Sequence, residues 1–407
     1  MSINQMVPVD IAQRLILDHT LDFGNEWVNF DVCNGRILAE DLTADRDMPP
    51  FNRVTMDGIA CHFEAIQKGI RSFLIKGVQA AGDLPIEQNH LEACIEIMTG
   101  AALPESANCV IPYEQLSISN GVATLKNDVH VQKGQNIHVK GKDKKAGDVL
   151  VQRNQYITPS VINTLAAIGK TSVLVKKKPK VIIISTGDEL VAINQLPNPT
   201  QIRRSSNYAL WAGLKEWGIE AAMQHLSDDV EQITKALNHC LNEYDVVLLT
   251  GGVSMGKFDY VPQVLEDQGV QKLFHKVQQK PGKPFWFGLS EKRTAVFAFP
   301  GNPVSTFLCF HRYFVPWLRA CWSIPNQEKR AILDVDYTFL NPMTHFLLVK
   351  LLLNEKGELR AIPSGGNGSG DFSSLLEADA FVELPSEKDR FYKGNVVKIW
   401  SFNNRII

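Results

Sequence analysis

The chain has 407 residues, a formal net charge of −2, 44% hydrophobic residues and 21% charged residues. Such a length holds about two to four domains with ample core, and the near-neutral charge excludes bulk attraction to nucleic acid or an anionic membrane surface. The seven cysteines include no Cys-x-x-Cys pair, which excludes a zinc site or a disulfide framework and fits a reducing cytoplasm.

The N-terminus lacks a basic flank followed by an apolar core, so no signal peptide is expected. After Pro8, the residues Val9, Ile11, Leu15 and Ile16 recur at helical spacing and predict an amphipathic opening helix. From 51 to 147 the texture changes. Short apolar runs (Phe73–Val78, Cys94–Met98, Cys109–Pro112, Val122–Leu125) alternate with Gly, Pro and Asn turns. That alternation predicts an all-β module of hairpins and bulges. Thr158–Ile168 predicts a helix, with Pro159 in its first turn and Gly169 as its stop.

From Lys180 strands and helices alternate. Val181–Ser185, Ile219–His225, Tyr244–Leu249 and Ala295–Phe299 read as strands. Asn207–Trp217, Val230–Leu241, Pro262–Gln268 and a run from Val304 through Trp317 read as helices. This interval implies crossover units and a parallel or mixed sheet. Asn194–Thr200 is a loop inserted after the first strand. Beyond Pro325 strands and turns return, ending at Ile399–Phe402, as in a small β domain. Phe346–Leu353 is short and broken by Lys350, so it is a strand and not a membrane span.

Ligands of α/β sheets sit at the carboxyl ends of the strands. Three Gly- or Pro-locked turns fall there: Ser185–Leu190, Thr250–Gly256 and Pro300–Ser305. All three are expected on one edge as an anion-binding crevice. Gly251-x4-Gly256-Lys257 matches a nucleotide loop except at its last position, where Phe258 replaces the magnesium-holding hydroxyl. Pro262 leaves little room for the following helix. The glycine amides still offer an anion nest.

Asp188 and Glu189 follow the first strand, and Asp259 follows the glycine loop. Each pattern fits either a helix N-cap or, taken together, oxygen ligands of a divalent cation. Lys280 and Lys283 flank Pro281-Gly282, and proline holds such a backbone at low entropic cost. The pair suits an oxyanion or diphosphate; exposed surface lysines are the plainer reading. Asn302 and the amides leading into the Val304 helix are further anion donors. Thr55-Met56-Asp57-Gly58 and Met98-Thr99-Gly100-Ala101 are sharp turns in the β module. Histidines are dispersed, and no Gly-x-Ser-x-Gly supports covalent catalysis.

Taken in order, these segments resemble the MoeA-type (gephyrin E-domain-like) molybdopterin molybdenumtransferase family of molybdenum cofactor biosynthesis. Asn34–Ala39, Met56–Gly58, Ile97–Ala101, Ser185–Leu190, Thr250–Tyr260, Lys280–Pro284, Pro300–Ser305 and Gly366–Gly370 carry the resemblance over nearly the whole chain. It implies a multidomain α/β plus β architecture. A helical and β platform (1–52 and 140–177) would carry an inserted β module (53–139). A central α/β molybdopterin-binding-type domain with a mixed or parallel sheet (178–328) and a C-terminal small β barrel (329–407) would follow.

The resemblance also implies a homodimer whose sites lie between subunits, and an adenylating protein of the same pathway as partner. The reaction implied consumes adenylylated molybdopterin and molybdate, with Mg2+ or another divalent cation as cofactor. A catalytically silent scaffold of the same fold is the alternative. Carried over by motif, Asp57, Thr99, Glu189, Asp228 and Asp259 would be catalytic, with Glu189 and Asp259 holding the metal. Asp143, Thr186, Gly187, Gly251, Gly252, Ser254, Gly256, Lys280, Lys283, Pro300, Asn302, Pro303 and Ser305 would bind substrate. The chain departs from the family at Asn52, at Val54-Thr55 and at Arg203-Arg204, where two arginines could clamp phosphate or molybdate.

Overall fold

The computed structural model describes residues 6–253 and 259–402. Two units make up the chain. One comprises Met1–Trp27, Gly35–Ile37 and Leu174–Ile407, the other Val28–Asn34 and Leu38–Val173. Helix α1 (Val9–Leu17) opens the first as predicted; Val9 and Ile16 of the expected face are buried together with Ala12, while Ile11 and Leu15 are half-buried.

The second unit contains a six-stranded sheet and separate two-stranded pairs, one of which joins Leu42–Thr43 to Val149–Val151. The strands that position the candidate residues are β1 (Arg53–Val54), β2 (Gly58–Cys61), β3 (Ser72–Gln79), β4 (Ala93–Ile97), β5 (Cys109–Pro112), β6 (Leu116–Ser119), β7 (Val122–Leu125) and β8 (Ile137–His138). The sheet order is β5-β2-β4-β3-β7-β6, and β1 pairs with β8. Ile59, Phe73, Cys94, Cys109, Ile111 and Leu125 form the core beneath it. The hairpin expectation holds for β6–β7, where Asn120 and Gly121 take positive φ as a two-residue hairpin turn requires. It fails for β3 and β4, which run parallel, and a short helix α2 (Phe63–Gln67) follows β2. Parallel neighbours need a crossover, and the unperiodic 80–92 stretch supplies it. Helix α3 (Pro159–Ala167) has Pro159 in its first turn, as predicted.

The central sheet of the first unit uses β9 (Val181–Thr186), β10 (Ala221–Leu226), β11 (Val246–Thr250), β12 (Gln271–His275), β14 (Trp286–Leu289) and β15 (Ala295–Phe299). The short β13 (Gln279–Lys280) leaves this sheet for the next one. The order is β10-β9-β11-β15-β14-β12. The first four strands are parallel, while β14 and β12 add antiparallel. The sheet is therefore mixed. β12 and β14 were not among the predicted strands, although 285–289 is a continuous buried apolar run. Helices α4 (Ser205–Glu216), α5 (Val230–Glu243) and α6 (Val261–Asp267) connect the strands, and α6 does fit after the glycine loop because Pro262 lies in its first turn.

The helix expected from Val304 to Trp317 is interrupted. Helix α7 (Pro303–Cys309) passes into a π-turn, Phe310–Phe314, before α8 (Val315–Cys321). Pro316 has no N–H for the Arg312 carbonyl, and its ring crowds that oxygen, so the backbone widens there. The wider turn buries Arg312 and Tyr313 together.

Five C-terminal strands, β16 (Lys329–Leu333), β17 (Thr344–Leu353), β18 (Leu359–Pro363), β19 (Ala380–Leu384) and β20 (Val396–Ser401), close into a barrel through β17–β18–β16–β20–β19–β17. β13 joins its rim beside β17. All seven cysteines are buried and unpaired by disulfide. Among the described residues no helix is long and apolar enough to cross a membrane.

Candidate active site

Register decides where the loops end. Ser185 on β9 stands opposite Thr250 on β11, and Thr250 stands opposite Phe299 on β15. The turns after these strands therefore leave one edge at one level, as expected. They also touch. A Cβ on Gly251 would lie 2.7 Å from the Thr186 carbonyl, and one on Gly252 would lie 2.6 Å from Thr186 Oγ1. Both glycines have positive φ, so the turn needs glycine for its conformation and for its close approach. Gly301 sits 3.6 Å (from its ideal Cβ) from the Gly251 Cα. Within this junction Thr186 Oγ1 is buried without a hydrogen-bond partner among the described residues. An orphaned buried hydroxyl is costly, and this one lies beside the Gly251-Gly252 turn. Ser254, Gly256, Lys257 and Phe258 lie outside the described residues.

The acidic groups gather at the same edge. Asp188 and Glu189 lie in a turn that enters a short strand, Leu190–Val191, and not a helix, so the N-cap reading of this pair is wrong. The cap of α5 is Asp229, which accepts from the Gln232 amide at 2.8 Å. Its neighbour Asp228 is left to the edge, where its amide donates to Asp188 at 3.1 Å. Burial raises the Asp228 pKa, and the negative charges of Asp188, Glu189 and Asp259 raise it further, against a backbone hydrogen bond at Asp188. Four carboxylates thus share one field. The Glu189 carboxylate lies over Gly187, where a Cβ would meet Oε2 at 2.5 Å. Among the described residues, no three His, Cys, Asp or Glu side chains form a ready metal cage. The oxygen donors nevertheless suit a hard divalent cation that takes its remaining ligands from a phosphate.

A raised carboxyl pKa has a stability consequence. Ionising Asp228 costs more in the fold than in the unfolded chain, so its stabilising share is complete below the unfolded pKa. It is lost as pH rises through the higher folded pKa. Asp228→Asn should therefore raise the Tm of the metal-free protein by roughly one to three degrees at pH 7. The gain should vanish toward pH 3, which thermal scans across pH will read.

Lys280 and Lys283 are both exposed on their turn. Gly282 between them packs onto α7: its ideal Cβ lies 3.0 Å from Cys309 Sγ and 3.7 Å from the Ser305 carbonyl. The lysine turn and the Pro300–Ser305 turn are neighbours. A loop following β18 seals this corner, with Asn302 Nδ2 donating to Ser369 Oγ at 2.9 Å and the Val304 amide donating to the Ser369 carbonyl at 3.1 Å. The Val304 amide, expected to serve an anion, is thus already taken.

Arg203 gives its Nε to the Gln195 carbonyl of the inserted loop, and Arg204 gives its Nε to the Val191 carbonyl of the short strand Leu190–Val191. Arg204 also faces His225, whose Nδ1 lies 3.0 Å from Ser185 Oγ; burial and the Arg204 charge lower the His225 pKa.

The second unit holds its own set. Asp57 accepts from the Thr99 amide at 2.6 Å, and hydrogen bonds from the Thr99 side chain and backbone hold its carboxyl below the ordinary range. The two sequence turns are therefore one feature. Asp143 meets His138 Nε2 at 2.9 Å, and His138 Nδ1 meets Arg53 at 3.1 Å. A guanidinium only donates, so Nδ1 accepts and Nε2–H donates to Asp143. Arg53 and His138 lie on paired β1 and β8, and nothing in their sequence spacing signalled the link.

Three family models cover the chain: the MoeA N-terminal region (domain I and II) over residues 7–169, a probable molybdopterin binding domain over 182–320, and the MoeA C-terminal region (domain IV) over 330–402. A Synechocystis protein named molybdopterin molybdenumtransferase is 38% identical over 98% of this chain and 100% of its own length. The chain belongs to the MoeA family. A Staphylococcus epidermidis MoeA relative of the same name is 32% identical over 98% of this chain and 97% of its own length. The solved MoeA protein of Pyrococcus horikosii matches with a TM-score of 0.84 at 30% identity, covering 98% of this chain and 99% of that one. The MoeA fold accounts for the mixed central sheet and the closed terminal barrel. Within it, Asn302–Ser369, Arg204 and His225 were not singled out as contacts, because each pairs residues far apart in sequence.

Proposed function

We propose that this protein inserts molybdenum from molybdate into the dithiolene of adenylylated molybdopterin and releases AMP. The carboxylate cluster at the edge where three strand-end turns meet carries this reading. Membership in a family whose named relatives are molybdopterin molybdenumtransferases supports it. The catalytically silent scaffold is disfavoured because a non-catalytic site gains nothing from mutually repelling carboxylates.

Lys280 and Lys283 meet the anionic oxygens of molybdate or diphosphate, and the fixed turn between them limits their entropy loss. Thr186 Oγ1 and the amides of Gly187 and Gly252 face the same anion, beside the groove shaped by Pro300, Pro303 and Ser305, whereas the Gly251 amide is taken by the Phe299 carbonyl at 3.3 Å. Glu189 and Asp259, with Asp228 close by, would hold a Mg2+ ion or another divalent cation shared with the substrate phosphates. Such a cation supplies neutralisation of phosphate charge and of the leaving AMP oxygen. Asp57, fixed by Thr99, and Asp143, fixed by His138, present oxygens that orient the pterin end. We propose that the active form is a cytoplasmic homodimer, fed by the adenylating protein of the same pathway.

Lys257 has no role in this scheme, since Phe258 cannot hold magnesium. Lys257→Ala should keep more than about half of the activity. A loss as deep as that of Glu189→Gln would restore the nucleotide-loop reading. The function itself is tested by cofactor formation from purified components, with AMP and active cofactor both measured.

A further inference from the structure

We infer that Gln279 is a positioning residue that sets the geometry of the Lys280–Lys283 turn through a buried tie to Tyr313. The inference rests on the reading that both lysines meet substrate anions.

Gln279 is fully buried on β13. Its Nε2 donates to the Gly282 carbonyl at 3.0 Å, closing the turn on itself. Its Oε1 accepts from the Tyr313 hydroxyl. Tyr313 belongs to the π-turn between α7 and α8 and is itself buried, so burial raises its pKa and keeps the hydroxyl a donor. The fit is tight: a Cβ on Gly282 would fall 2.7 Å from Gln279 Nε2. A buried amide is costly unless both its ends are satisfied. Here one end is spent on the turn and the other on the π-turn tyrosine.

Two other backbone ties complete the frame. His345 Nδ1 lies 3.2 Å from the Lys280 carbonyl, which can only accept, and Nε2 lies 3.0 Å from the Tyr337 hydroxyl. Burial pulls the His345 pKa down to about 4, so the ring is neutral at pH 7, with its proton on Nδ1. The Val277 amide donates to the Lys283 carbonyl at 2.9 Å. At the middle of the turn the Gly282 carbonyl takes the strong Gln279 amide bond and a longer contact from Cys309 Sγ at 3.9 Å. Loss of Gln279 would leave only the weak thiol contact there, and the two ammonium groups would be less well pre-arranged for one oxyanion.

Four variants of the full chain test this: Gln279→Met, Tyr313→Phe, Lys280→Ala and Lys283→Ala. For each, Tm is recorded, together with kcat and the molybdate KM of cofactor formation at saturating adenylylated molybdopterin. Gln279→Met should raise the molybdate KM roughly tenfold with kcat nearly unchanged. Tyr313→Phe keeps the ring and should raise KM roughly threefold; both lysine variants should raise it further. A merely structural loss would lower the active fraction and leave KM alone. A wild-type KM in Gln279→Met and Tyr313→Phe, beside raised KM in the lysine variants, overturns the inference and leaves the lysine assignment standing. A wild-type KM in both lysine variants overturns that assignment and this inference with it. Should Gln279→Met fail to fold, Tyr313→Phe decides by the same criterion.

Discussion

Glu189→Gln is expected to lower molybdenum insertion by at least about a hundredfold while leaving the fold intact. The change is isosteric, so no cavity opens, and Glu189 caps no helix whose stability would fall with it. What is lost is one negative charge in a cluster whose repulsion shows at Asp228. Tm in the absence of metal should therefore stay the same or rise slightly. Steady-state rates and a thermal scan on the same preparation check both parts. A loss of only a few-fold, accompanied by a matching fall in Tm, would assign Glu189 to structure.

Mixed dimers should recover activity that neither parent has. Asp57→Ala and Glu189→Ala subunits are each expected to be inactive alone. Asp57 and Thr99 belong to one unit of the chain, while Glu189, Asp228, Lys280 and Lys283 belong to the other. In an isologous dimer with shared sites, one site of the mixed pair collects both defects and the other collects none. About half of the wild-type activity per mixed dimer should return. Continued inactivity after verified subunit exchange would mean that each site is built within a single subunit.

The parts of this molecule that sequence made legible are those written locally. β9, β11 and β15 are continuous apolar runs, and their Gly and Pro turns need particular backbone conformations, so the common edge could be read directly. The Asn120-Gly121 hairpin is local in the same way. The π-turn was hidden because Phe310–Phe314 continues the apolar texture of a helix, and only Pro316 with its effect on Arg312 gives it away. β12 was hidden because Gln271–His275 mixes polar and apolar residues without a run, whereas β14 lies in the apolar run 285–289, which was legible but not read as a strand. Among candidate site residues, sequence motifs and the family resemblance pointed to Glu189, Asp228 and both lysines, but not to the contacts that hold them. Gln279 to Tyr313, Asn302 to Ser369 and Arg53 to His138 join positions 34, 67 and 85 residues apart. Such pairings exist only once the chain has folded. The N-cap reading of Asp188 and Glu189 failed for a related reason, since a turn into a short strand and a turn into a helix begin with the same residues.

The central claim is most directly tested by incubating the purified chain with adenylylated molybdopterin, molybdate and Mg2+, and following AMP release together with reconstitution of a cofactor-free molybdoenzyme. The account predicts AMP and active cofactor in equal amounts, both dependent on molybdate and both abolished in Glu189→Gln. Tight pterin binding with no AMP release and no active cofactor would contradict it and leave a scaffold in its place.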